Sequence, residues 1–192
     1  IIRSFTGIVK DIRRMPEKVE AACEALIPLL IKKGISSRSS RYMRTFFPLH
    51  MAPYLKEKDF ARFYWPSFEK LLRAYNEKGV GCKLFVEGDW MAKIDYLTQL
   101  EDCLEMQFEF GDARLVKEKV GGTHIISGLF PITMLQTATK EQCVDKTKEL
   151  IDILAPGGGY IFNTDKSLFS FKGTNLDNLQ AVIATVKTYG VY

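Results

Sequence analysis

Glu87, Glu109, Asp165 and His124 are the side chains of this sequence whose types and places could do chemistry together. The three carboxylates stand at or near the C-terminal ends of runs that read as β-strands: CKLFVEG (82–88), CLEMQFEF (103–110) and YIFNTD (160–165). His124 lies toward the beginning of a fourth such run, THIISGL (123–129). Side by side, these strands would let carboxylate oxygens and an imidazole nitrogen hold a divalent metal such as zinc, at about 2.0–2.2 Å. Glu87 and Glu109 are then the catalytic candidates beside a metal bound by Glu87, Glu109, His124 and Asp165. The plainer alternative pairs the glutamates with lysines or helix ends and makes His124 a hydrogen-bonded core residue. His50, in FFPLHMAP, is the second of two histidines and follows a short apolar run that can form a further strand.

The elements that must position these groups follow from periodicity. Val19, Ala22, Cys23, Leu26, Ile27 and Leu30 recur at helical steps and predict a helix from Pro16 to about Lys33, stopped by Gly34 and kinked or divided at Pro28. A second helix is predicted from about Lys58 to Lys78, with Phe60, Phe63, Leu71, Leu72 and Tyr75 on one side and a bend at Pro66. From residue 82 strands and helices alternate at a period of about 20 residues. The helices fall near 91–100, 113–120, 140–154 and 176–189. This rhythm predicts a parallel sheet covered by helices.

The strand 103–110 places Glu105, Gln107 and Glu109 on one face and Leu104, Met106, Phe108 and Phe110 on the other. A sheet covered on both sides has no use for a polar face, whereas a barrel lumen opening at its C-terminal rim does. The expected fold class is therefore α/β, a single domain over residues 1–192 that forms part of a (β/α)8 barrel. Gly157, Gly158 and Gly159 precede a strand and lack the Lys-Ser or Lys-Thr of a phosphate loop, so they read as the turn after a helix.

Composition excludes several classes. The 27 basic and 23 acidic residues are scattered, so the net charge of +4 makes no extended positive surface, and nucleic acid is not an expected partner. Arg38, Arg41 and Arg44 read as a solvated loop. The four cysteines are far apart and form neither a zinc ribbon nor a disulfide framework. Cys82 and Cys103, opening strands, are expected to pack as small hydrophobes. ALIPLLI at 25–31 is too short to span a membrane, and no signal-peptide pattern is present, so the expectation is a cytoplasmic protein without a membrane partner. The sequence begins at Ile1, which suggests a fragment of a longer chain.

FTGIVKDIRRMPEKV, FARFYWPSFEKLL, KLFVEGDW, THIISGLFP, LIDILAPGGGYIF and NLDNLQAVIATVKTYG together resemble the uroporphyrinogen decarboxylase superfamily over nearly the whole chain. That resemblance implies the C-terminal portion of a (β/α)8 barrel, without the N-terminal strands and the arginine-bearing segment that holds porphyrinogen carboxylates. True decarboxylases of the family carry a G-H-G-I turn where this chain reads NTDKSLFSFKG, without histidine. Zinc methyltransferases carry H-x-C-G where this chain has Phe85, Val86, Glu87 and Gly88, and a later Gly-Cys-Gly near Asp165 to Leu168. The resemblance therefore implies a corrinoid (cobalamin)-dependent methyltransferase. It would take a methyl group from a small methylated donor, zinc polarising the leaving group, to a corrinoid on a partner protein. The alternatives are uroporphyrinogen decarboxylase, a lyase of porphyrin biosynthesis, and an inactive fragment that self-associates through open strand edges.

Overall fold

A computed structural model describes residues 3–101, 103–170 and 172–191. The chain divides into two compact units, residues 1–83 and 84–192.

In the first unit, Ser4 starts α1 (Phe5–Arg14) by accepting the Gly7 N–H on its hydroxyl at 3.1 Å. Met15 breaks the chain direction, and Pro16, whose missing N–H costs nothing at a first helical position, opens α2 (Pro16–Gly34). The helix runs through Pro28 without dividing, and Leu29 and Leu30 lie outside its buried stripe. Ile12, Val19 and Phe63 form a small core with Ile8, Cys23 and Leu55. The apolar run before His50 is the strand β1 (Thr45–Pro48), and the Thr45 N–H reaches the Gly81 carbonyl at 2.9 Å.

The helix predicted over 58–78 is built in three pieces: α3 (Glu57–Asp59), a π turn (Phe60–Tyr64) and α4 (Trp65–Glu77). Pro66 explains the difference. It has no N–H for the Arg62 carbonyl, and its ring would collide with that group in a regular α-helix. Widening the ladder relieves both, and the Trp65 N–H skips to the Phe60 carbonyl five residues back. Beyond it α4 buries Phe68, Leu71, Leu72 and Tyr75, and the Tyr75 hydroxyl donates to the Leu30 carbonyl of α2 at 3.0 Å.

In the sheet, strand order follows chain order: β1, β2 (Cys82–Val86), β3 (Glu105–Phe108), β4 (Ile125–Phe130) and β5 (Tyr160–Thr164). β3 pairs parallel with β4, Glu105 opposite Ile125 and Phe108 opposite Gly128, and β4 pairs parallel with β5, Ile126 opposite Tyr160 and Phe130 opposite Thr164. In the second unit a 3-10 turn (Met91–Lys93) and α5 (Ile94–Leu97) follow β2, a shorter piece than the helix expected there. Then come α6 (Ala113–Val120), α7 (Met134–Thr137), α8 (Lys140–Leu154) and α9 (Leu176–Tyr189). Thr139 and Gln142 close a reciprocal capping box on α8. Met106, Phe108, Ile126, Phe130, Val116, Cys143 and Leu154 are fully buried and form the heart of this unit.

β3 begins at Glu105, so Cys103 lies outside it and is exposed, while Cys82 is buried as expected. Near its end β4 bends, with positive φ at Gly128 (89°) and Leu129 (67°). A Cβ on Gly128 would lie 2.3 Å from the Phe108 carbonyl oxygen, so only glycine lets β3 and β4 approach there. Leu129 has a Cβ and holds the same region of backbone space at a cost of about 1–3 kcal/mol.

Candidate functional site: a carboxylate and lysine rim

Three of the four anticipated groups meet at one rim of the second unit, and a lysine stands among them. Glu109, one residue past β3, accepts the Gly88 N–H on Oε2 at 2.9 Å and the Lys166 ammonium on Oε1 at 2.7 Å. A single side chain thus joins the segment after β2 to the segment after β5. Asp165, one residue past β5 and buried, accepts the Ile132 N–H at 3.0 Å and the Lys166 N–H at 2.7 Å, both on Oδ1. Its own N–H donates to the Phe130 carbonyl at 2.7 Å, tying it to the end of β4. Glu87 follows β2, where its carbonyl accepts the Trp90 indole N–H at 3.2 Å. Its carboxylate is near enough to Lys166 to raise the ammonium's pKa.

The electrostatics follow from this geometry. The hydrogen bond from Lys166 holds the Glu109 carboxyl below the usual range, with the Gly88 N–H assisting against partial burial. The same bond, with the fields of Glu109, Asp165 and Glu87, raises the Lys166 ammonium and keeps it charged. Asp165 moves the other way: burial pushes its carboxyl up, and the two backbone N–H groups and Lys166 oppose this only in part. One rim therefore holds a carboxyl pushed down, an ammonium pushed up and a second, buried carboxyl pushed up from their ordinary values.

Below the rim the polar face of β3 is present but buried. Glu105 accepts the Ser127 hydroxyl at 3.4 Å, and the Gln107 amide donates to the Thr164 carbonyl at 3.2 Å. The first contact ties β3 to its neighbour β4, and the second reaches past β4 to the end of β5.

His124 is not part of the rim, which corrects the expected ligand set. It precedes β4, whose other end is Phe130, so it lies about 15–20 Å down the sheet at some 3.3 Å per residue. Its Nδ1 accepts the Leu104 N–H at 3.4 Å, which leaves Nε2 to donate to the Leu97 carbonyl at 3.3 Å. It is a buried cross-link at the foot of the sheet. His50 is exposed just after β1. Lys166 is the member that residue reading missed; the only signal for it was its place directly after Asp165 in the turn NTDKSLFSFKG.

A sequence model of the family described as Uroporphyrinogen decarboxylase (URO-D) matches residues 2–189. The chain belongs to the uroporphyrinogen decarboxylase family. No curated protein sequence matches it. Among solved structures, a methyltransferase from Methanosarcina mazei superposes with a TM-score of 0.66 at 18% identity, covering 98% of this chain and 54% of that one. The chain thus spans about half the length of that structure, and at this identity the likeness carries the fold: an open parallel sheet that forms part of a (β/α)8 barrel. Among the described residues no helix is long and apolar enough to cross a membrane.

The zinc expected by resemblance does not fit this rim. Among the described residues no group of three or more His, Cys, Asp or Glu side chains is arranged to hold a metal ion. His124 is spent at the other end of the sheet, and the Lys166 ammonium takes the position beside Glu109 that a cation would need.

Proposed function

We propose that the protein is a methyltransferase of the uroporphyrinogen decarboxylase family that moves a methyl group from a small methylated substrate to a corrinoid on a partner protein. The observation that carries this reading is the rim arrangement of Asp165, Lys166 and Glu109: a buried carboxyl and a fixed ammonium, side by side at the strand ends. Taking a methyl group from an ether or amine leaves charge on the heteroatom, and a positioned proton donor eases its departure. Asp165, buried and with its carboxyl pushed up by desolvation, stands beside Lys166 where it could give that proton. Lys166, held charged by Glu109, is suited to donate a hydrogen bond to the same atom, while the Gly88 N–H keeps Glu109 in place. Phe110 and Phe169, 58% and 95% exposed in the segments after β3 and β5, offer apolar surface suited to a macrocycle. The corrinoid, when bound, supplies the cobalt that takes up the methyl group. Family membership and the fold likeness to a methyltransferase agree with this reading, and the turn NTDKSLFSFKG, without histidine, weighs against decarboxylation.

The test mixes the full-length protein with free cob(I)alamin and a panel of methylated ethers, amines and thiols, following methylcobalamin by its absorbance. Turnover is expected with at least one donor, and Asp165→Asn should lower kcat by roughly 100-fold or more, the usual size of a lost general acid. Conversion of uroporphyrinogen to coproporphyrinogen without methyl transfer from any donor would replace this reading with the decarboxylase one.

A further inference from the structure

The first unit contains a cleft of about 440 Å³, within the range of about 300–1,000 Å³ typical of small-molecule sites. Its lining is two-sided in character. Ile12 and Phe63, both buried, and Pro16 supply an apolar floor, and four cations, Arg13, Lys56, Lys58 and Arg62, stand around it against a single carboxylate, Asp59. Arg62 is committed, bonding Glu20 at 2.6 Å and lying over the Phe63 ring. Arg13 gives one N–H to the Val9 carbonyl at 3.2 Å, and neither Lys56 nor Lys58 enters an ion pair among the described residues. The π turn bears on the same place, because Arg62 and Phe63 both come from it and Asp59 immediately precedes it.

We propose that this cleft binds a small organic anion. Its phosphate or carboxylate head is held by Lys56, Lys58 and Arg13, and its apolar body lies on Ile12, Pro16 and Phe63. An apolar floor beneath uncommitted cations selects for both parts of such a molecule, whereas a solvated basic surface would select for charge alone.

The experiment titrates the 192-residue chain with phenyl phosphate and with inorganic phosphate, reading the amide NMR shifts of Ile12 and Phe63. Phenyl phosphate should saturate with a dissociation constant at least about tenfold below that of inorganic phosphate. The exposed double variant Lys56→Gln/Lys58→Gln should weaken it by about tenfold or more, and Lys187→Gln on α9 should leave it unchanged. The proposal is overturned if neither anion saturates below about 10 mM, or if the two bind equally well. It is equally overturned if Lys187→Gln weakens binding as much as the double variant, since the chain's overall charge would then account for it.

Discussion

Asp165 offers the sharpest separation of structural from chemical roles. In Asp165→Ala the Ile132 and Lys166 N–H groups both lose the acceptor on which they converge. Hydrogen bonds to a charged acceptor are worth about 1.5–3 kcal/mol each, and because burial already disfavours this charge the lower end applies, giving about 3 kcal/mol in all. Asp165→Asn keeps Oδ1 as an acceptor and should cost no stability. In urea, with a slope of about 2–3 kcal/mol/M for a chain of this size, the alanine midpoint should fall by about 1–1.5 M and the asparagine midpoint should hardly move. The pH dependence has a definite sign. The folded carboxyl is raised above its ordinary value of 3.8, so its favourable contribution is complete below 3.8 and is lost as pH rises through the folded value. Asparagine imitates the protonated state, so it should match the parent protein in acid and equal or exceed it in stability at pH 7. Circular dichroism, with hydrogen exchange at the Ile132 and Lys166 amides, gives both measurements. If asparagine costs as much as alanine at pH 7, the negative charge rather than the acceptor holds the rim, and the reasoning fails.

Lys166→Met should change stability by less than about 1 kcal/mol, because its pair with Glu109 is partly exposed. The contribution of the depressed Glu109 carboxyl is present above its ordinary value of 4.5 and lost as pH falls through the lower folded value, so the variant's acid limb in thermal melts should be flatter. His124→Ala should cost about 2–4 kcal/mol by stranding the Leu104 N–H and the Leu97 carbonyl, and elemental analysis should find metal content unchanged. Gly128→Ala should cost about 3 kcal/mol or more, from positive φ together with overlap on the Phe108 carbonyl; a melting temperature within a degree of the parent would disprove the close approach.

The sheet was legible because apolar, β-branched and aromatic runs punctuated at regular intervals leave a strong pattern, and each expected strand is found. The breaks came where a single residue outweighed the pattern. Pro66 turned one helix into three pieces, which apolar spacing cannot register because a π turn shifts the helical phase of the residues beyond it. Cys103 fell outside β3 because the Leu104 N–H is taken by the His124 ring, a contact across 20 residues. The carboxylates of the rim could be read from their places at strand ends. Lys166 could not, since a lysine in a polar turn looks solvated until the sheet brings Glu109 to it. The place of His124 toward the beginning of its run already set it below the rim; what the sequence did not show is that the Leu104 N–H and the Leu97 carbonyl would take up its ring.

The Glu109 to Lys166 bond spans 57 residues, whereas the register between β3 and β4 joins positions 20 apart. Closing a longer loop costs more chain entropy, so ladders between successive strands can form early while the rim waits for β5 to dock. Folding kinetics should then record a sheet already built in the transition state and a rim that is not. Substitutions at Lys166 would leave the folding rate almost untouched and act on unfolding alone. On this reasoning the rim is the last part of the unit that its chain should assemble.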